Sequence, residues 1–166
     1  MSPGAAAMPA TGMVTIEEAR REDLPAIVEI LALETMFGVR DSVDPAHFAD
    51  YEQAFEAIAG DPRTTLYVAR VGSRVLGTFQ LLLMRALTRH GAVLAIAEAV
   101  QVHPDARGQG VGSAMMAFAA KEAKRRGAAS LQLTSNKKRF DAHRFYERAG
   151  FERRHEGFKM DLDDRA

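Results

Sequence analysis

Cysteine is absent from the 166-residue sequence. Its absence excludes a disulfide framework, a thiolate metal site and a cysteine nucleophile, and it fits a protein of the reducing cytoplasm, where we expect this chain. An excess of charge is also absent, because 22 Lys and Arg residues balance 22 Asp and Glu residues. No bulk field therefore attracts nucleic acid or an anionic membrane, and a charged ligand would need a local site.

Long hydrophobic runs are missing too. The longest apolar-rich segment, residues 92–102, is interrupted by Glu98 and Gln101 and is much shorter than the roughly 20 residues that cross a bilayer. Residues 1–12 lack the basic start and the continuous apolar stretch of a signal peptide, so we interpret them as a disordered lead-in. Residues 13–166 have the size of one domain, and we expect a single one.

The residue pattern predicts an α/β fold (α+β, three-layer). We expect a mixed, mostly antiparallel twisted sheet of six to seven strands with about four helices. The predicted strands cover residues 14–18, 65–71, 74–84, 93–102, 130–134, 151–154 and 158–162. Two helices begin at Asp23 and Asp44, a third begins near Gly110, and a fourth spans 140–149. The strand over 93–102 is apolar at nearly every position and is expected to be central and covered on both faces.

The sharpest local feature is the segment VQVHPDARGQGVGS, residues 100–113. A buried strand runs through a turn into three alternating glycines that open a helix. Glycine lets the backbone approach a ligand closely, and the unpaired amides and dipole of a helix start attract anions. The segment therefore predicts a site for a phosphate or pyrophosphate group.

The glycine spacing restricts which phosphate ligand fits. Gly108, Gly110 and Gly112 do not form the dinucleotide pattern G-x-G-x-x-G, because residue 113 is Ser, and no Gly-Lys-Ser or Gly-Lys-Thr of a Walker loop follows. The arrangement Arg107-x-x-Gly110-x-Gly112 instead resembles motif A of the GNAT superfamily of acetyl-CoA-dependent N-acetyltransferases. A structural role as a tight strand-to-helix turn is the alternative.

A second signature supports this resemblance. The segment NKKRFDAHRFYERAGF, residues 136–151, is similar to the C-terminal GNAT signature. Its matching positions are Asn136, Ala142, Phe145, Tyr146, Glu147, Gly150 and Phe151. Two motifs therefore occur in the family's order, and the resemblance extends over roughly residues 65–162.

The resemblance implies an acetyl-CoA site between splayed central strands. Val100 and Val102 would offer backbone groups to the pantetheine arm, and the Val102 amide would face the thioester oxygen as an oxyanion donor. The pyrophosphate would lie on the loop formed by Arg107, Gly108, Gln109, Gly110, Val111, Gly112 and Ser113. Asn136 would bond the pantetheine arm, or it caps the following helix. Lys137, Lys138 and Arg139 would contact the 3′-phosphate of CoA, or they form a solvated helix start.

Acetyl transfer to an amine requires a neutral nitrogen and a protonated leaving thiol, so a base and an acid are expected. Tyr146 occupies the family's acid position, although it is alternatively a buried core aromatic. Glu98 interrupts an apolar strand and is either a base, acting directly or through water, or a solvated charge. The pleat places Glu98, Val100 and Val102 on one face unless a bulge intervenes. The five histidines lack metal-ligand spacing, so we expect no metal.

Three functions remain open at this point. The protein acetylates the primary amine of a small molecule, it acetylates a protein lysine or N-terminus, or it is a non-catalytic acyl-CoA-binding module. Tyr146 and the intact glycine loop argue against the last. The acceptor is expected to contact residues 33–43 and 83–92, whose composition selects no particular amine. Family resemblance also implies a homodimer.

Overall fold

The structure is a computed structural model that describes residues 12–162. The predicted lead-in therefore lies, apart from Gly12, outside the described residues, and the division into a lead-in and one domain stays a prediction. The strands are β1 Thr15–Glu18, β2 Thr64–Val71, β3 Arg74–Arg85, β4 Val93–Val102 and β5 Ala128–Gln132. The helices are α1 Leu24–Ala32, α2 Pro45–Ala59, α3 Thr88–Gly91, α4 Val111–Arg125 and α5 Phe140–Arg148.

The five strands form one mixed sheet in the order β1-β2-β3-β4-β5. The first four strands are antiparallel to their neighbours, and β5 runs parallel to β4. A two-residue turn joins β2 to β3, where Gly72 has a φ of 58° that few other residues tolerate. The predicted fold class is confirmed, although β3 is the middle strand and β4 lies next to the edge strand.

Two layers of helix cover the sheet. On one face, Ile27 and Ile30 of α1 pack with Val68 of β2, because apolar residues recur along α1 at helical spacing. On the other face, Met115 and Ala119 of α4 belong to the main core, which also contains Tyr67, Phe79 and Leu81 of the sheet. The resulting three-layer arrangement leaves the ends of β4 and β5 accessible beside α4 and α5.

A largely buried ion pair fixes the start of α1. Asp23 precedes the helix as predicted, but its carboxylate does not cap it. The carboxylate instead accepts hydrogen bonds from the Arg20 amide at 2.9 Å and from the Arg70 guanidinium of β2 at 2.9 Å. The side chains of Arg70 and Asp23 are 15% and 6% exposed. Asp23 therefore ties α1 to the sheet, a role that its position in the sequence did not indicate.

The two predicted C-terminal strands are wrong. Residues 151–162 form neither strand nor helix, so the described part of the chain has five strands instead of six to seven. A strand needs a partner for its backbone groups, and the apolar alternation of Phe158, Met160 and Leu162 has no surface to cover because all three are exposed. The predicted strand 130–134 begins two residues earlier, at Ala128. The one-turn α3 was not predicted.

The strands β4 and β5 separate part of the way along their length. Their pairing ends where Ile96 lies opposite Gln132, whereas β4 continues to Val102. On its other side, β4 stays paired with β3 as far as Val102, which lies opposite Gly77. The second half of β4 therefore has a backbone edge that no strand of the described chain covers.

Candidate active site

A cleft of about 1010 Å³ adjoins the open half of β4. The glycine loop, the start of α4, helix α5 and the connection between α1 and α2 form its other walls. Of the residues predicted to bind the ligand or to act in catalysis, the cleft is lined by Val100, Val102, Arg107, Gly108, Gly110, Gly112, Ser113 and Tyr146. The two sequence signatures therefore meet at one cavity.

The glycine loop exposes backbone amides at the start of α4. Gly108 and Gly110 have φ values of 73° and 83°, which place both in the left-handed region that favours glycine. The first intrahelical hydrogen bond runs from the Ala114 amide to the Gly110 carbonyl at 3.0 Å. The amides of residues 111–113 have no acceptor within the helix, and with the helix dipole they make this end of α4 suited to an anion.

Side chains hold the turn before this loop in place. The Asp105 amide donates to Nδ1 of His103 at 3.2 Å, so the His103 side chain stabilises the turn. The Gln109 side chain donates to the Asp105 carbonyl at 2.7 Å. Gln109 therefore acts on the loop through its side chain, and only its backbone could reach a ligand in the cleft.

A β-bulge in β4 decides where Glu98 points. Ala99 has a φ of 49°, and the register with β3 shifts between Thr78 and Gln80. Glu98 lies opposite Gln80, whereas Val100 packs against the core on the α4 side. Phe79 and Leu81, on either side of Gln80, face that core, so Gln80 faces the opposite side of the sheet. Glu98, its partner in the pairing, points the same way and is exposed on the face that α1 covers. Glu98 does not line the cleft.

The two signatures are in direct contact at Gly112. A Cβ atom built on Gly112 would lie 3.2 Å from Cζ of Phe145 and 3.7 Å from Cγ2 of Val102. The missing side chain therefore allows α4, β4 and α5 to approach one another closely. Phe145 both packs against the core and lines the cleft.

Tyr146 is held by aromatic neighbours on both sides. Its ring centroid lies 5.1 Å from that of Phe145 and 5.8 Å from that of Phe151. Burial raises the pKa of the Tyr146 hydroxyl above its ordinary value, and the positive charge of Arg139 opposes this rise. The hydroxyl is therefore protonated at neutral pH, as an acid must be before it donates its proton.

Asn136 has an identified structural role. Its Oδ1 accepts a hydrogen bond from the Lys138 amide at 2.9 Å, and its carbonyl accepts one from the Arg139 amide at 3.0 Å. These bonds shape the turn before α5, whose N-cap is Arg139. Asn136 is exposed and does not line the cleft, so the geometry is closer to the capping alternative than to a ligand contact.

Charge is concentrated in the cleft although the whole chain is neutral. Five basic side chains line it, against two acidic ones, Glu34 and Asp141. The basic ones are Arg107, Lys138, Arg139, Arg144 and Arg148. Arg144 and Arg148 belong to neither set of predicted site residues, but their spacing of four residues on α5 places them on one helical face with access to the same cavity. The cleft therefore favours an anionic ligand.

The described residues contain neither a candidate metal site nor a candidate membrane-spanning helix. Within 12–162, no three His, Asp or Glu side chains form a group that could hold a metal ion. Over the same residues, no helix is long and apolar enough to cross a membrane.

An open strand edge beside an anion-attracting helix start defines the general class of site, one for a phosphate-bearing ligand with an extended arm. Comparison with known proteins identifies the family. The model of the acetyltransferase (GNAT) domain matches residues 62–153. An aminoalkylphosphonate N-acetyltransferase from Salmonella typhimurium is 36% identical over 112 residues, covering 68% of this chain and 72% of that protein. The chain therefore belongs to the GNAT acetyltransferase family and is an acyltransferase.

Solved structures share this fold. A transcriptional regulator from Bacillus halodurans C-125 is 39% identical, covers 90% of this chain and 100% of its own, and has a TM-score of 0.87. A glucosamine-6-phosphate N-acetyltransferase from Arabidopsis thaliana is 17% identical, covers 91% of this chain and 99% of its own, and has a TM-score of 0.75, which shows a shared fold. Enzymes of the GNAT family use acetyl-CoA as their cosubstrate.

Proposed function

We propose that this protein transfers the acetyl group of acetyl-CoA to the primary amine of a small molecule, by direct attack within a ternary complex. This proposal rests on one observation: the glycine loop, the open edge of β4 and Tyr146 of α5 all line the same cleft. These are the parts that bind a phosphate, align an extended thioester and protonate a leaving thiol.

The donor would be held mostly by backbone. Amides of the loop from Gly108 to Ser113 and the Arg107 guanidinium would hold the pyrophosphate, since Arg107 and all of the loop residues except Gln109 and Val111 border the cleft. The edge at Val100 and Val102, which no described strand covers, would pair with the amide groups of the pantetheine arm, and the arm would replace the 3.4 Å hydrogen bond from Nε of Arg107 to the Val102 carbonyl. The Val102 amide would also stabilise negative charge on the thioester oxygen during attack. The side-chain NH2 group of Asn136 would contact the arm, since its Oδ1 already accepts a hydrogen bond from the Lys138 amide.

The transfer requires two proton movements. The amine nitrogen attacks the thioester carbonyl carbon, the new C–N bond forms and the C–S bond breaks. The departing sulfur takes the proton of the Tyr146 hydroxyl, and the nitrogen loses a proton to a base. We propose that Glu98 accepts this proton through intervening water, since it does not line the cleft itself and its carboxylate is exposed to solvent on the α1 face of β4.

A small-molecule acceptor is supported by the relative from Salmonella typhimurium, whose name describes acetylation of aminoalkylphosphonates. We therefore propose aminoalkylphosphonates as the first acceptors to test. An amine that also carries an acidic group suits a cleft in which basic side chains outnumber acidic ones.

Two experiments test this proposal. Thermal unfolding with acetyl-CoA, ATP or NAD distinguishes donor classes, because a ligand that binds the folded state raises apparent stability. We expect a rise in Tm with acetyl-CoA alone. A panel of amines with detection of released thiol then tests transfer, and we expect turnover with at least one small amine. Failure of acetyl-CoA to stabilise the protein, or acetylation of protein substrates only, would contradict the proposal.

We also propose that the protein is cytoplasmic and forms a homodimer. The absence of cysteine supports the location, and family resemblance supports the dimer. Phe158, Met160 and Leu162 are 98%, 82% and 90% exposed, and β5 lies at the edge of the sheet, so an apolar segment and an open edge are available to a second copy of this chain. Light scattering should give the mass of a dimer, and replacing the three apolar residues by Ser should give a monomer.

A further inference from the structure

One ion pair in the cleft joins two segments that are distant in the sequence. Arg139, at the start of α5, lies 3.5 Å from Glu34, which follows α1 in the connection to α2. The two side chains are 29% and 22% exposed, so the pair is partly shielded from solvent. Because both side chains line the cleft, the pair presents a carboxylate and a guanidinium to a ligand.

Glu34 is fixed in a direction that faces the cleft. Its Oε1 accepts a hydrogen bond from the Met36 amide at 3.1 Å, while Oε2 faces Arg139. The other acidic side chain of the cleft, Asp141, is 96% exposed and is paired with Arg144. Among the described residues, Glu34 is thus the one partly buried carboxylate available to a positively charged or N–H-bearing group in this cavity.

Arg139 connects this carboxylate with the reacting end of the site. Its charge acts on the hydroxyl of Tyr146, the proposed acid, and its guanidinium contacts Glu34. A guanidinium presents N–H donors in a planar fork that fits the oxygens of a carboxylate or a phosphonate. A molecule bound between Glu34 and Arg139 would therefore lie in the same cavity that Tyr146 lines.

We propose that Glu34 and Arg139 together recognise an acceptor that carries both an amine and an acidic group. The acceptor binds with its amine protonated: its acidic group takes the place of the Glu34 carboxylate on Arg139, and its ammonium pairs with Glu34. One ion pair is thus replaced by two, and the ammonium then loses a proton to the base before its nitrogen attacks the thioester. A simple amine would leave Arg139 without a partner, so the pair selects amino-acid-like or aminophosphonate acceptors.

This inference rests on the proposed function, and its test separates the two. The wild-type protein and Arg139→Gln are compared with aminoethylphosphonate, β-alanine and propylamine at saturating acetyl-CoA, by release of free thiol. We expect the wild type to prefer the two acid-bearing amines. In Arg139→Gln the KM for these two amines should rise at least about tenfold, while the KM for propylamine stays nearly unchanged. Loss of the positive charge that acts on the Tyr146 hydroxyl should change kcat for all three amines alike, so KM is the constant that reports acceptor recognition.

Glu34→Gln should raise KM for all three amines, because the nitrogen loses its acceptor. A matched control is Arg63→Gln, which breaks an exposed pair with Asp61 outside the cleft and should leave every constant unchanged. The charge-exchanged double variant Glu34→Arg with Arg139→Glu keeps an ion pair. This double variant should retain the wild-type Tm and still lose the preference for acid-bearing amines. If it instead shows the wild-type preference, the Glu34–Arg139 pair has a purely structural role.

The outcomes that overturn the inference differ from those that overturn the function. A wild-type enzyme that acetylates propylamine or other acid-free amines best would retain the proposed function and contradict this inference. An Arg139→Gln variant with weakened acetyl-CoA binding would assign Arg139 to the CoA phosphates instead. A wild-type protein that acetylates no small amine would remove both.

Discussion

A Cβ atom on Gly112 would lie 3.2 Å from Cζ of Phe145, which is closer than an ordinary van der Waals contact. The first turn of α4 and the middle of α5 therefore pack together at a position that accommodates glycine better than any residue with a side chain. This contact joins the residues that would bind the donor phosphate to the helix that carries Tyr146. The glycine therefore serves packing between two elements as well as access to the backbone.

Replacing Gly112 by Ala should displace Phe145 and, through it, the neighbouring Tyr146. The φ of Gly112 raises no obstacle, so the effect should come from crowding, at a cost of about 1–3 kcal/mol in the free energy of unfolding. We expect kcat to fall more than the affinity for acetyl-CoA. Chemical denaturation and steady-state kinetics measure both. Gly157→Ala is the control, because nothing lies within 4 Å of a Cβ there. Unaltered stability and turnover in Gly112→Ala would show that the Phe145 side chain can shift to accommodate a methyl group without any effect on folding or catalysis.

Gly110 should matter for a different reason. No atom lies within 4 Å of a Cβ built there, but its φ of 83° is left-handed. An Ala or Val side chain would therefore strain the backbone by about 1–3 kcal/mol and shift the amides that face the cleft. We expect Gly110→Val to weaken acetyl-CoA binding at least about tenfold, as measured by calorimetry. Gly60→Ala is the comparison, since its φ of −83° suits alanine. Wild-type affinity in Gly110→Val would argue against a phosphate site at this loop.

Tyr146→Phe should remove the proton donor and leave the ring. Its neighbours Phe145 and Phe151 contact the ring face and edge, so packing and acetyl-CoA affinity should stay nearly unchanged. We expect kcat to fall by about 10²–10⁴, the usual range for a general acid. Tyr67→Phe is the matched control, because Tyr67 lies in the core and does not line the cleft. Equal turnover in the two variants would exclude Tyr146 as the acid.

The ionisation of Tyr146 can be measured through stability. Burial raises the pKa of its hydroxyl in the folded state, so above about pH 10 the folded protein holds a proton that the unfolded chain has released. The contribution of Tyr146 to stability is therefore complete below about pH 10 and is lost as the pH rises further. As the pH rises above about 10, the Tm of the wild type should therefore fall more steeply than that of Tyr146→Phe. Parallel curves would mean that the hydroxyl ionises at its ordinary pKa.

The sequence alone determined the local parts of this protein. Alternating glycines after a strand and the Phe-Tyr-Glu segment before Gly150 are short patterns whose spacing reflects local backbone geometry, so the loop, α4, α5 and the family could be predicted. The hairpin at Gly72 and the helix start at Asp44 follow from turn and cap preferences in the same way. The final strands could not be predicted reliably, because alternation at Phe158, Met160 and Leu162 indicates a strand only where a partner edge is present.

Only the tertiary structure decided which residues meet and which way they face. The direction of Glu98 depends on a bulge at Ala99, and alanine carries no sequence sign of a positive φ. The pairing of Glu34 with Arg139, and the contact of Gly112 with Phe145, depend on how α1, α4 and α5 pack on the sheet. Spacing along the chain encodes local conformation, whereas contacts between distant residues arise from packing of the whole fold, and the acceptor side of this cleft is made of such contacts.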